Sequence, residues 1–232
     1  MDDRFEDAAP EYGALVQDSI AFSGQEHAYF VRRKAEALTS IARRHLGAPE
    51  SLRVADIGCG VGEMEANLAV PFGTIVGAEP SAESAFAANG QTDLHPVNCD
   101  GRSLPLADNS MDLTFTVNVL HHVDPPHRDA MIEEMVRITR PGGLVVAFEH
   151  NPLNPLTRMS VARCEFDEGV ELLWARELRR RFRRAGLTEA ERRYVLFTPF
   201  DVSWQHRVEN YLGRLPLGAQ HYLAGRVGSS EV

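Results

Sequence analysis

The chain reads as an α/β protein: a doubly wound, mostly parallel sheet of seven strands, with helices on both faces and an antiparallel last strand. Three observations predict this. Short apolar runs alternate with segments of helical period five times up to His150. Each strand-plus-helix step has the length of a right-handed crossover, the connection that builds a parallel sheet. After His150 the alternation stops, and the two strand-like runs that remain are expected to pair antiparallel at the end of the sheet.

The elements follow in order. Residues 26–46 set Phe30, Ala35, Leu38, Ile41, Ala42 and Leu46 at helical spacing and stop at Gly47, an amphipathic helix ahead of the first strand. "LRVADIG" is a short buried strand, and "GEMEANLAV" is a helix that Pro71 ends. "GTIVGAEPS" is the second strand; "SAESAFAANG" is a helix opened by Ser81 and closed by Gly90. "LHPVNCD" makes a weak third strand and "MDLTFTVNVL" a strong fourth. "PPHRDAMIEEMVRITRPGG" is a helix with proline at its start and Pro-Gly-Gly at its stop, and "LVVAFEH" is the fifth strand. Beyond it, "NPLNPLTRMSVARCEFDEG" has two Asn-Pro steps and no clear period, so a long connection covering a site is expected. "ARELRRRFRRAG" is a helix ending at Gly186, "ERRYVLFTPF" a sixth strand, "SWQHRVENYLGRL" holds a helix, and "AQHYLAGRV" is the closing strand.

Composition narrows the function. With 24 basic and 33 acidic residues the net charge is −9, which disfavours nucleic acid and anionic membranes as partners. The first dozen residues are acidic and match no leader pattern, and no apolar run is long enough to span a bilayer, so a cytoplasmic protein without membrane insertion is expected. Cys59, Cys99 and Cys164 fit neither a disulfide framework nor a zinc motif.

Chemistry concentrates at the strand ends. In "VADIGCGVGEM" an acid, Asp56, precedes glycines at 58, 60 and 62, on the turn after the first strand, where open α/β sheets bind ligands. A dinucleotide fold wants G-x-G-x-x-G, but here the third glycine comes one residue early. An acid ahead of the first glycine repels pyrophosphate and welcomes an ammonium group. Glu79 closes the second strand, where a carboxylate accepts from paired ribose hydroxyls. Asp100 closes the third, within reach of an exocyclic amine, with the N–H of Gly101 beside it.

These residues resemble the class I S-adenosylmethionine-dependent methyltransferases, whose first motif has the form acid-x-G-x-G-x-G. The likeness is detailed from about residue 50 to 150, through Glu79, Asp100, "FTVNVLHHV" and "RPGGLVVAFEH", and loose elsewhere. It implies a Rossmann-like fold and S-adenosyl-L-methionine as cofactor, with S-adenosyl-L-homocysteine as product. It also implies a cofactor pocket of Asp56, Gly58, Gly60, Gly62, Glu79, Asp100, Gly101 and Asn118; Tyr29, expected at the cofactor, and Phe30 lie on the helix before the sheet, placed to form a lid. The chain is then one methyltransferase domain: a lid over 1–48, a cofactor-binding core over 49–150, and an acceptor side over 151–232.

Methyl transfer is an in-line displacement that rests on positioning, and a base is needed only where the acceptor carries a proton. His121 and His122 lie just past the fourth strand, and Glu149 and His150 just past the fifth; these four are the catalytic candidates, His122 foremost as base. Asp124, His121 and His150 are good oxygen and nitrogen ligands for a divalent metal, but a metal site is not expected, because no ligand pair has the helical i, i+4 spacing of a known motif. The arginines at 176, 179, 180, 181, 183 and 184, with Arg192 and Arg193, read first as a solvated helix face and second as a dock for an anionic, carrier-linked or lipid-linked acceptor. Phe200 and Trp204 are expected to wall an acceptor pocket. The expected activity is methylation at O, N or C of a small molecule. The alternatives are that anionic acceptor, or a cofactor-binding regulator or scaffold without turnover. The acceptor and the oligomeric state, a homodimer included, stay open.

Overall fold

The computed structural model describes residues 17–21, 26–89, 94–99, 103–197 and 211–228. Helix α1 (His27–His45) precedes strand β1 (Arg53–Ile57). Then come α2 (Glu63–Ala66), β2 (Thr74–Glu79), α3 (Ala82–Ala88), β3 (Leu94–Asn98) and β4 (Met111–Val117). The rest is α4 (Arg128–Ile138), β5 (Thr139–His150), α5 (Pro155–Val161), α6 (Ala175–Arg184), β6 (Thr188–Val195) and β7 (Gln220–Arg226).

The seven strands form one sheet in the order β3-β2-β1-β4-β5-β7-β6. β1 to β5 run parallel, while β7 inserts between β5 and β6 and pairs antiparallel with both. The expected Rossmann-like sheet with an antiparallel last strand is therefore present. Strand order reverses between β1 and β4, so a crevice opens beyond their carboxyl ends.

Side-chain alternation on β5 divides the interior in two. Leu144, Val146 and Phe148 face α1 and pack with Leu38, Ile41, Val54 and Tyr222. Val145 and Ala147 face the other way, against Ile132 and Met135 of α4 and Leu178 and Phe182 of α6. Glu191 of β6 ties α1 to β6 and β7: it accepts from Tyr222 Oη at 2.7 Å, Arg44 at 2.8 Å, His45 at 3.0 Å and Arg193 at 2.7 Å.

Three elements differ from expectation. The fourth helix ends at Ile138, and Pro141, Gly142 and Gly143, expected as its stop, already belong to β5. The helix after the glycine turn stops at Ala66, well short of Pro71. The segment after His150 holds a capped helix, α5: Asn154 Oδ1 accepts from the N–H groups of Leu156 and Thr157, and Pro155 fills the first turn. The expected closing glycine at 90, and most of the helix expected near "SWQHRVENYLGRL", lie outside the described residues.

Candidate active site

The turn after β1 is built around glycine backbones. Gly58 sits at φ +79°, and a Cβ there would come within 2.5 Å of Val119 Cγ2, so the turn closes on the β4 loop only with glycine. At Gly60 (φ +54°) a Cβ would meet nothing within 4 Å, which leaves the backbone bare toward open space. Glu79, at the tip of β2, reaches across: Oε2 accepts from Gly60 N–H at 2.9 Å and Oε1 from Ser81 N–H at 3.0 Å. Burial raises its pKa, and those two N–H groups oppose the shift.

Asp56 lies beneath the turn, 2% exposed, with Oδ1 lacking a hydrogen bond. Burial drives its pKa well above the usual carboxylate range, reinforced by Glu65 and Glu79. Glu65 on α2 is also buried, which raises its pKa, and a hydrogen bond shared with Asp56 opposes that shift. Lys34 of α1 is the nearby buried cation; burial brings its pKa down to about 8 against the pull of Glu63 and Asp56. Asn118, at φ +57°, is pinned by its N–H to Phe148 O at 2.9 Å and leaves Oδ1 buried without a partner.

The histidines stand at the neighbouring strand ends. Glu149 is fully buried and works inward: Oε1 accepts from Leu120 N–H at 2.9 Å, and Oε2 lies 2.7 Å from His121 Nδ1. His121 Nε2 faces Asp167 Oδ1 at 3.4 Å, and His122 Nε2 faces the same oxygen at 3.3 Å. Burial alone would lower the His121 pKa, but Glu149 and Asp167 overcome it and push it up to about 9. His121 is therefore an imidazolium at neutral pH and no ready base. Burial and the charge of His121 lower His150 to about 3, so it stays neutral.

These groups share one cavity of about 430 Å³, inside the usual range for small-ligand sites. Asp56, Gly58, Gly60 and Asn118 line one part; His121, His122 and His150 line another. Of the expected site residues, Gly62 and Glu79 support the turn without lining the cavity, and Glu149 stands behind His121. Tyr29 is not on the cavity wall: it is buried edge-on to Phe30, and Phe30 takes the lid position. Asp100, Gly101, Phe200 and Trp204 lie outside the described residues. Residues not anticipated also line it: Lys34, and Asn154, Thr157 and Asp167 from the segment after β5. His27, Phe30, Val31 and Lys34 follow one helical face, so a lysine on that stripe was a readable signal; Asp167 had none.

The arginine-rich α6 does not border the cavity. Arg181 pairs with Asp129 at 2.6 Å and Glu177 at 2.8 Å, and Arg193 with Glu191 at 2.7 Å. Arg179 pairs with Glu189, and Arg176 lies over the Trp174 ring.

Residues 55–147 match the family model of the methyltransferase domain. An uncharacterized methyltransferase of Mycobacteroides abscessus is 34% identical over 152 residues, covering 62% of this chain and 52% of that protein. One from Mycolicibacterium vanbaalenii is 32% identical over 148 residues, with the same coverage. The chain thus spans about half the length of the curated relatives it matches. Among solved structures, an S-adenosylmethionine-dependent methyltransferase of Thermotoga maritima superposes with a TM-score of 0.69 at 22% identity, over 96% of this chain and 98% of that one. Magnesium protoporphyrin IX methyltransferase of Synechocystis, with S-adenosylhomocysteine bound, gives 0.68 at 15%, over 98% and 97%. Residues 55–147 thus match a methyltransferase domain, and the chain shares the fold of S-adenosylmethionine-dependent methyltransferases of known structure.

The residues present fit that cofactor. Asp56 Oδ1 and Asn118 Oδ1 are buried acceptors awaiting donors, Gly60 offers bare backbone, and the cluster of Asp56, Glu65 and Glu79 favours a cationic ligand.

Proposed function

We propose that the chain transfers a methyl group to a small-molecule acceptor bound beside the histidines, within a single unit whose α1 serves as the lid. The carrying observation is the shared cavity: a glycine turn with unpartnered Asp56 and Asn118 oxygens in one part, three histidines in the other. S-adenosylmethionine, when bound, supplies an electrophilic methyl on a sulfonium.

The chain's own work is positioning and charge. Asp56, Gly58, Gly60 and Asn118 hold the cofactor, with Glu79 fixing the turn from behind through the Gly60 and Ser81 N–H groups, and Asp100 and Gly101 are expected to complete the pocket. Phe30, Thr157 and Phe166 narrow the cavity and limit water. Proton removal falls to His122, which is half-buried and faces Asp167, because His121 is already charged between two carboxylates. Glu149 is then a positioning residue for His121 rather than a base. The ion pairs on α6 favour its reading as a solvated face over an anionic dock.

The test is turnover of labelled cofactor against a panel of hydroxyl, amine and carbon acceptors. Product is expected with wild type, and His122→Ala should lose roughly 10²-fold in kcat with little change in cofactor affinity. Unchanged kcat in His122→Ala, on an acceptor that must lose a proton, would remove the histidine from the chemistry.

A further inference from the structure

We propose that His121, His150 and Asp167 form a binding site for a first-row divalent transition-metal ion, at the acceptor end of the cavity. One ligand atom from each lies within 4.8 Å of the others, and all three residues line the cavity. Asp167 is brought from the segment after β5, the histidines from the ends of β4 and β5, so the cluster arises only in the fold.

Three observations carry the assignment. First, His121 Nε2 is buried in a residue only 3% exposed and makes no hydrogen bond, yet it stands 3.4 Å from Asp167 Oδ1. Ligand atoms held about 2.0–2.1 Å from one tetrahedral ion lie about 3.3–3.4 Å apart, so that pair already has the separation of two ligands on a common ion. Second, His121 Nδ1 is held by Glu149 at 2.7 Å, so an ion arriving at Nε2 would displace the proton that this nitrogen shares with Asp167 and leave a neutral, carboxylate-held imidazole as its ligand. Third, two carboxylates flank that imidazole, Glu149 fully buried and Asp167 largely so, and the ion's charge would replace the one that the displaced proton carries away.

Two imidazoles and one carboxylate suit zinc, iron(II) or manganese rather than magnesium or calcium, which prefer oxygen ligands throughout. Three protein ligands leave a position open toward the cavity. An acceptor carrying a hydroxyl or carboxylate oxygen would take that position; this last clause rests on the proposed function, whereas the ion site stands on geometry alone.

The experiment uses the untagged chain, stripped with chelator and dialysed, titrated with Zn²⁺ alone and separately loaded with Co²⁺. One ion per chain is expected, with visible d–d absorption for Co²⁺, and His150→Ala and Asp167→Asn should each weaken uptake at least tenfold. S-adenosylhomocysteine affinity is measured on the same samples, and its retention in the variants certifies that they fold. No stoichiometric Zn²⁺ uptake by wild type, or equal uptake by folded variants, overturns the site. Zn²⁺ uptake without S-adenosylhomocysteine binding would keep the ion site and discard the cofactor reading instead.

Discussion

Asp56 shows how much of the chemistry resides in single side chains. Burial, with the neighbouring Glu65 and Glu79, raises its pKa well above the usual carboxylate range, with Lys34 the opposing charge. A cationic ligand favours the ionised form, so binding must release a proton. The affinity for S-adenosylmethionine is therefore expected to rise as pH climbs above the ordinary carboxylate range. Calorimetry in buffers of different ionisation heat should register proton release; pH-independent affinity without release would separate Asp56 from the cofactor. The acid and glycines were legible in the sequence because backbone turns impose residue type locally. Lys34 left a signal, a lysine on the helical stripe of α1 that faces the cavity, whereas Asp167 left none, since its importance depends on which distant elements meet it.

At the scale of elements, Glu191 ties the carboxyl end of α1 to β6 and β7 through Tyr222, Arg44, His45 and Arg193. Burial would raise its pKa, but these hydrogen bonds bring it down to about 2. Because the folded value lies below the unfolded one, the stabilisation is complete above about pH 4.5 and fades as pH falls toward 2. It is worth about 3.5 kcal/mol at most, since each tenfold change in proton affinity corresponds to about 1.4 kcal/mol. Glu191→Gln should unfold earlier in urea at pH 7 by about that amount, and the gap should close on acidification. A pH-independent gap would assign the loss to packing. The capped helix α5 marks a limit of pattern reading. Asn154-Pro155 is a cap followed by a first-turn proline, but in a seven-residue helix too little apolar period follows to distinguish it from a turn. The helix after the glycine turn was overdrawn for the opposite reason: Leu68 and Val70 continue the apolar pattern, though the helix has ended.

Across the whole molecule, function follows from strand order. Crossing from β1 to β4 at the reversal point brings the glycine turn, Asn118 and the tandem histidines to one crevice. The parallel part of this plan was readable from the alternation of strand and helix. The insertion of β7 between β5 and β6 was not, because an antiparallel partner leaves no crossover length to count. The segment after β5, aperiodic in sequence, closes the cavity with Asn154, Thr157, Phe166 and Asp167. What organises all of this is the expectation that carboxylates at neighbouring strand ends hold a sulfonium nucleoside. Its most direct measurement is calorimetric titration of S-adenosylhomocysteine into wild type and into Glu79→Ala, with the fold of each checked by thermal melting. The expected result is one site per chain in wild type and at least tenfold weaker binding in the folded variant, the size of a lost charge-assisted hydrogen bond. No binding to wild type, or equal affinity in the variant, would contradict it.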